Sequence, residues 1–225
     1  MRAALYYAPR PDDALHRAGA AWLGHDPESG ATPPPPTFPG VDPALLHAAT
    51  AAPRHYGLHA TLTPPRRLAT GWEEFAAAAA ALAERTPAFP LPPLRLTEMS
   101  GCLALTAPAC PPLDALAEAC VRAADVHCRR PDAAELARRR AGGLDDEQER
   151  LLQRWGYPHV LARWCFHITL TGRLATGTLA PLREAAARHF ADALAAPRAV
   201  TEICIVTEAA ADTPMLIAER LALRA

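Results

Sequence analysis

Residues 59–71 read HATLTPPRRLATG, and residues 167–177 read HITLTGRLATG. A chain that writes His-x-Thr-Leu-Thr and then Arg-Leu-Ala-Thr-Gly once in each half is expected to fold into two units of like local structure. In both copies apolar and polar residues alternate with a period of two, which makes each a strand. The first is closed by Pro64 and Pro65, the second by Gly172. Around these anchors the remaining elements fall into place.

RAALYYA at residues 2–8 is a first strand ended by Pro9, and residues 12–24 are a helix begun at Asp and stopped at Gly24. Four prolines, Pro33 to Pro36, mark a loop. A short helix follows, with Asp42 as its N-cap and Pro43 in its first turn. After the first motif come an alanine-rich helix over 71–86 and a hairpin at 94–107 turning on Ser100 and Gly101. The second half holds a helix at 112–128, two more on either side of Gly142 and Gly143, and the second motif strand. A further helix at 179–194 and two strands end the chain. Each motif thus opens the order strand, helix, strand, strand. The reading is α+β: a bilobal duplicated fold, two pseudo-symmetric antiparallel sheets lining a central cleft, helices outside. With no low-complexity linker, residues 1–225 form one domain, with an N-lobe of about 1–108 and a C-lobe of about 109–225.

Several kinds of chemistry can be set aside. Every basic residue is Arg, so Schiff-base chemistry and a P-loop lysine are both excluded. The net charge of −1 gives no general affinity for polyanions, and no apolar run reaches membrane-spanning length. The early Pro9 and Pro11 interrupt any signal-peptide core, giving a cytoplasmic address. The six cysteines lack zinc-ligand spacing and read as reduced, mostly buried residues; no metal and no cofactor is expected.

On a strand, residues i and i+2 share a face, so His59 points with Thr61 and His167 with Thr169. If the lobes are related by a two-fold, these faces meet across the cleft. A lone His-x-Thr on a strand is usually packing; two, in matching context, suggest a site. Two imidazoles supply a base and an acid near neutral pH, and two hydroxyls can donate to phosphate oxygens.

Two His-x-Thr motifs in an α+β chain resemble the two-histidine (2H) phosphoesterase superfamily. YGLHATLTPPRRL, PLRLTEMSGCLAL, AELARRR, RWGYP and FHITLTGRL are similar to its DUF1045-like branch, found with phosphonate-degradation genes. The resemblance implies His59 and His167 as the catalytic acid–base pair, with Thr61 and Thr169 binding phosphate. It implies a metal-independent cyclic phosphodiesterase acting on 5-phosphoribosyl 1,2-cyclic phosphate. The alternatives are an RNA or nucleotide 2′,3′-cyclic phosphodiesterase and a non-catalytic binder of cyclic phosphates. One departure stands out: where the family pattern has Lys after the first His-x-Thr-Leu, this chain has Thr63, with Arg66 and Arg67 as the nearest cations.

Tyr6, Arg67, Arg138, Arg139 and Arg173 are further candidate substrate contacts. Alternation sends one of Tyr6 and Tyr7 to the core and the other to the cleft. Arg138, Arg139 and Arg140 cannot share one helix face, so one of them is expected at the ligand. Arg67 and Arg173 occupy matching places after the two motifs. The expected partner is a small cyclic sugar phosphate, an RNA end being disfavoured by the acidic balance and 6% aromatic content. No membrane partner is expected, and the oligomeric state is left open.

Overall fold

In the computed structural model the two motifs are neighbouring strands of one sheet. Residues 1–175, 177–210 and 212–225 are described; Thr176, from the second Arg-Leu-Ala-Thr-Gly, lies outside the described residues. The strands are β1 (Arg2–Tyr7), β2 (Ala60–Arg67), β3 (Phe89–Leu91), β4 (Arg95–Met99), β5 (Cys102–Thr106), β6 (His167–Thr169), β7 (Arg198–Val200), β8 (Glu202–Glu208) and β9 (Leu216–Ala222). Seven of them form an antiparallel sheet in the order β4-β5-β6-β2-β1-β8-β9, while β3 and β7 pair separately.

The α+β reading holds, and the expected order of elements after each motif gains one short strand, β3 in the first half and β7 in the second. The two facing sheets are replaced by one continuous sheet. The reason lies in β6, which is only three residues long and pairs with β2 on one side and β5 on the other. The hairpin made after the first motif therefore completes the sheet beside the second motif strand. The hairpin made after the second, β8–β9, adds beside β1. No cleft separates the two histidine strands; they share an edge.

Local chemistry fixes the helices as expected. In α1 (Ala14–Leu23) the Asp13 side chain accepts from the Leu15 N–H, and Gly24 ends the helix at φ 70°. Asp42 caps α2 (Pro43–Ala49) in the same way, and α3 (Ala51–Arg54) follows at once. Then come α4 (Trp72–Arg85), α5 (Pro111–Asp125), α6 (Ala133–Arg140), α7 (Asp146–Trp155) and α8 (Leu179–Ala195). Ser100 and Gly101, at φ 52° and 79°, turn the β4–β5 hairpin with the positive angles a type I′ turn demands.

Three strand boundaries differ from expectation, the first being that β6 ends at Thr169, short of Gly172. The β2 strand runs through Pro64 and Pro65, because there it meets β1 at a shifted register and has no ladder bond to β6. The stretch 198–208 is two strands, broken at Thr201 so that β7 can leave the main sheet for β3.

The sheet's alternation divides its two faces. Ala3, Leu5, Tyr7, Ala60, Leu62, Leu103, Leu105, Ile168 and Ile205 join α1, α4, α5 and α8 in the main core. Ala4, Tyr6, Cys204 and Val206 point the other way, into a small cluster with Met215. That second face carries the site, so Tyr7 is the core tyrosine and Tyr6 the one at the site.

Candidate active site

The register Ala60↔Ile168 between antiparallel β2 and β6 fixes the arrangement of the motifs. Moving one residue either way sets His59 opposite Thr169 and Thr61 opposite His167. All four side chains then lie on the face away from Ala60 and Ile168, which are buried in the core. Histidine and threonine alternate in a two-by-two block, the histidines on one diagonal. Diagonal neighbours of this kind are roughly 7–8 Å apart, enough to hold a phosphoryl group between two rings.

The second threonine of each motif has another task. Thr63 Oγ1 accepts from the Leu5 N–H at 2.9 Å, and Thr171 Oγ1 accepts from the Leu103 N–H at 2.9 Å. Both are buried and replace a backbone acceptor, Thr63 where β1 and β2 lose register and Thr171 just past the end of the β5–β6 ladder. Thr63, standing where the family pattern has Lys, is thus a structural bond between β1 and β2. Tryptophans bind the same strands: Trp164 donates to the Thr61 carbonyl at 2.8 Å, and Trp22 to the Leu170 carbonyl at 2.9 Å.

Each imidazole is oriented by the backbone two residues before it. His59 Nδ1 lies 3.0 Å from the Gly57 carbonyl, and His167 Nδ1 lies 3.0 Å from that of Cys165. As donors, these nitrogens leave each Nε2 for the site. His59 Nε2 is 3.1 Å from Thr61 Oγ1. The two rings differ in charge. Burial pushes His59 down to about 4, with the nearby His167 adding to the effect. His167 is raised from its ordinary value, first by the Cys165 thiol 3.8 Å away and also by the Cys165 carbonyl. At neutral pH His59 is therefore an acceptor, and His167 holds its proton more readily.

Two adjoining cavities cover the block. One, of about 420 Å³, is lined by Arg2, Tyr6, Tyr56, His59 and Arg139 among others; the second, of about 340 Å³, by Met99, Val160, Trp164, Cys165 and His167 among others. Thr61, Thr169, Pro64, Cys102 and Tyr157 belong to both. The ring of Arg139's neighbour Tyr157 lies 4.9 Å beneath its guanidinium carbon. Arg2 is held at the cavity wall by bidentate contact with the buried Glu208, which also takes His55 Nε2 at 3.2 Å.

The structure thus gathers His59, His167, Thr61, Thr169, Tyr6 and Arg139. It does not bring Arg138 or Arg173 to these cavities, both being exposed elsewhere. Arg67 lines a separate, adjacent pocket. Arg139 is the one residue of its arginine run that reaches the site, as helix geometry requires. Sequence reasoning passed over Arg2, Tyr56, Cys165 and Tyr157. Arg2 and Tyr6, both on β1, are brought to the motif by strand pairing across more than fifty residues, which no local pattern announces.

Residues 61–216 match the family described as Protein of unknown function (DUF1045). Ribose 1,5-bisphosphate phosphokinase PhnN of Janthinobacterium sp. (strain Marseille) is 37% identical over 229 residues, taking in 98% of this chain and 50% of that protein. Its namesake in Laribacter hongkongensis (strain HLHK9) is 34% identical over 199 residues, taking in 88% of this chain and 46% of that protein. The chain thus spans about half the length of the curated relatives it matches. Their name is that of a kinase, and it overturns the cyclic phosphodiesterase expected from the sequence. The hydrolase class goes with it.

Proposed function

We propose, from the premise that this chain belongs to the DUF1045 family, that it is a ribose-phosphate-handling unit of phosphonate metabolism. Its two-histidine block binds a phosphoryl group and moves a proton during phosphoryl transfer. The observation that carries this reading is the register Ala60↔Ile168, which sets two histidines and two threonines on one face beneath the cavities.

The chemistry assigns each member a role. His59, neutral at pH 7, takes a proton from an attacking oxygen through Nε2. His167, with its raised pKa, donates a hydrogen bond from its protonated ring to a phosphoryl oxygen. Thr61 and Thr169 donate to the non-bridging oxygens, and Arg139 balances the anionic charge around them. The name of the relatives supplies the ligand class, a ribose carrying phosphate.

A kinase also needs a nucleotide. Without any Lys this chain has no P-loop, so we assign it the ribose-phosphate side of the reaction. The second reading, favoured by the relatives' name, puts the whole kinase reaction here. Titration of the purified chain with ribose 5-phosphate and ribose 1,5-bisphosphate, followed by imidazole NMR, tests both. Saturable shifts of both histidines, with affinity lowered at least tenfold in His167→Ala, are expected. No response of either ring to either sugar would overturn the proposal. Turnover of the bisphosphate with ATP by the chain alone would move the nucleotide side into it as well.

A further inference from the structure

Beside the two-histidine cavities lies a third, of about 220 Å³, lined by Arg66, Arg67, Arg129, Arg130 and Arg139 against two carboxylates, Asp132 and Glu135. We infer that this arginine pocket is a second anion site, built for a phosphate dianion and joined to the two-histidine cleft through Arg139, which lines both.

The charge accounting favours an anion. Asp125 beneath the pocket is buried and shared by three guanidiniums: Arg66 at 3.1 Å, Arg130 at 3.2 Å and Arg154 at 3.0 Å. One carboxylate therefore serves three cations. Among the described residues Arg67, Arg129 and Arg139 form no salt bridge. Asp132 and Glu135, the pocket's own acids, are engaged with each other's backbone in the capping box of α6. Cations are left facing the cavity in excess.

Hydrogen bonding points the same way. Arg139 Nε is buried and has no hydrogen-bond partner among the described residues. A buried donor left unpaired is costly, and it leaves the Arg139 guanidinium short of acceptors, which an anion in the cavity supplies at the part of the group that lines it. The floor is kept open by Gly156, at φ 74°, where a Cβ would come within 2.9 Å of Pro131 and 3.6 Å of Arg66 Nη2. Clustered forks of this kind suit the tetrahedral, multiply charged face of a phosphate.

The phosphate has two sources: a second phosphoryl group on the ligand held at the histidines, or a separate phosphorylated molecule. Arg66 is five residues along β2 from Thr61, roughly 16 Å of extended strand, while Arg139 lines both cavities. Chain-labelled arginine Nε–H NMR with inorganic phosphate tests the site without relying on the cleft reading. Phosphate is expected to shift the Arg139 Nε–H signal in the native chain and to keep shifting it in His59→Ala, which removes the neighbouring cavity's own phosphate contact. The response should weaken at least tenfold in Arg67→Gln/Arg129→Gln, both of which are exposed positions. A response unchanged by the double substitution, or abolished by His59→Ala, would overturn the assignment. Ribose 5-phosphate and ribose 1,5-bisphosphate then separate the sources. Loss of affinity for the bisphosphate alone in the double variant makes the second phosphate part of one ligand; equal effects on both make it a separate anion.

Discussion

Tyr6 lies flat on His59, with ring centroids 3.8 Å apart and planes inclined by 18°. The tyrosine is 1% exposed and forms the apolar wall that shields the imidazole from water, so the neutral form of His59 is favoured. Tyr6→Ala should raise the His59 pKa from about 4 toward its ordinary value, read from the ring signals in an NMR pH titration. The same change should lower fold stability by about 3–5 kcal/mol, as for other large aromatic truncations. A His59 that still titrates near 4 in a folded Tyr6→Ala chain would locate the cause elsewhere.

The depressed pKa of His59 makes it a pH-dependent element of stability. Unfolded, it takes up a proton near 6.5; folded, only at about 4. Between these values the unfolded chain binds more protons, so stability falls as the pH falls, by up to about 1.4 kcal/mol per pH unit from this residue. Above 6.5 it contributes no slope. Urea midpoints measured from pH 4.5 to 7 should be less pH-dependent in His59→Gln than in the native chain, and parallel curves would refute this.

His167 responds in the opposite direction. The Cys165 thiol raises its pKa, and Cys165 is itself lowered by the pairing. In Cys165→Ala the imidazole should titrate at lower pH. Binding of ribose 5-phosphate, if it draws on the protonated ring, should then fade at lower pH than in the native chain. Calorimetry across pH 6 to 9 measures that displacement, and coincident profiles would remove His167 from the binding step.

How much of this was legible beforehand follows from where the information lies. The strands at His59 and His167, the caps Asp13 and Asp42 and the Ser100–Gly101 turn are local, written in residues a few positions apart. The sharing of one sheet is not local. Nothing in HATLT or HITLT specifies that Ala60 meets Ile168, yet that pairing decides whether the histidines face each other or stand side by side. The role of Thr63 was hidden for the same reason: its partner, the Leu5 N–H, belongs to a strand 58 residues away. Arg139 could be narrowed to one of three by helix geometry, but only the packing of α6 beside Tyr157 selects it.

Asp125 anchors the arginines between the two-histidine face and the neighbouring pocket. Removing it in Asp125→Ala leaves Arg66, itself only 9% exposed, without its carboxylate, which should cost about 3–5 kcal/mol. If the loss comes from the stranded cation, Asp125→Ala/Arg66→Met should be more stable than Asp125→Ala alone. Urea unfolding of the pair decides it, since a double variant as unstable as the sum of its parts would make packing the cause.

Gly57 holds the carbonyl that orients His59, and it does so at φ 71°, a left-handed conformation. An added Cβ there would come within 2.6 Å of the Pro27 ring. Gly57→Ala therefore meets two penalties, about 1–2 kcal/mol for the backbone and about 1–3 kcal/mol for overpacking against a ring that cannot rotate away. The strain is relieved most directly by rotating the 57–58 peptide, which withdraws the acceptor from His59 Nδ1. The substitution should thus lower the urea midpoint and also disturb the His59 tautomer, seen in imidazole nitrogen shifts. A variant that loses stability while keeping the native nitrogen shifts would show that the carbonyl holds its place, and that His59 is oriented chiefly by Tyr6 and Thr61.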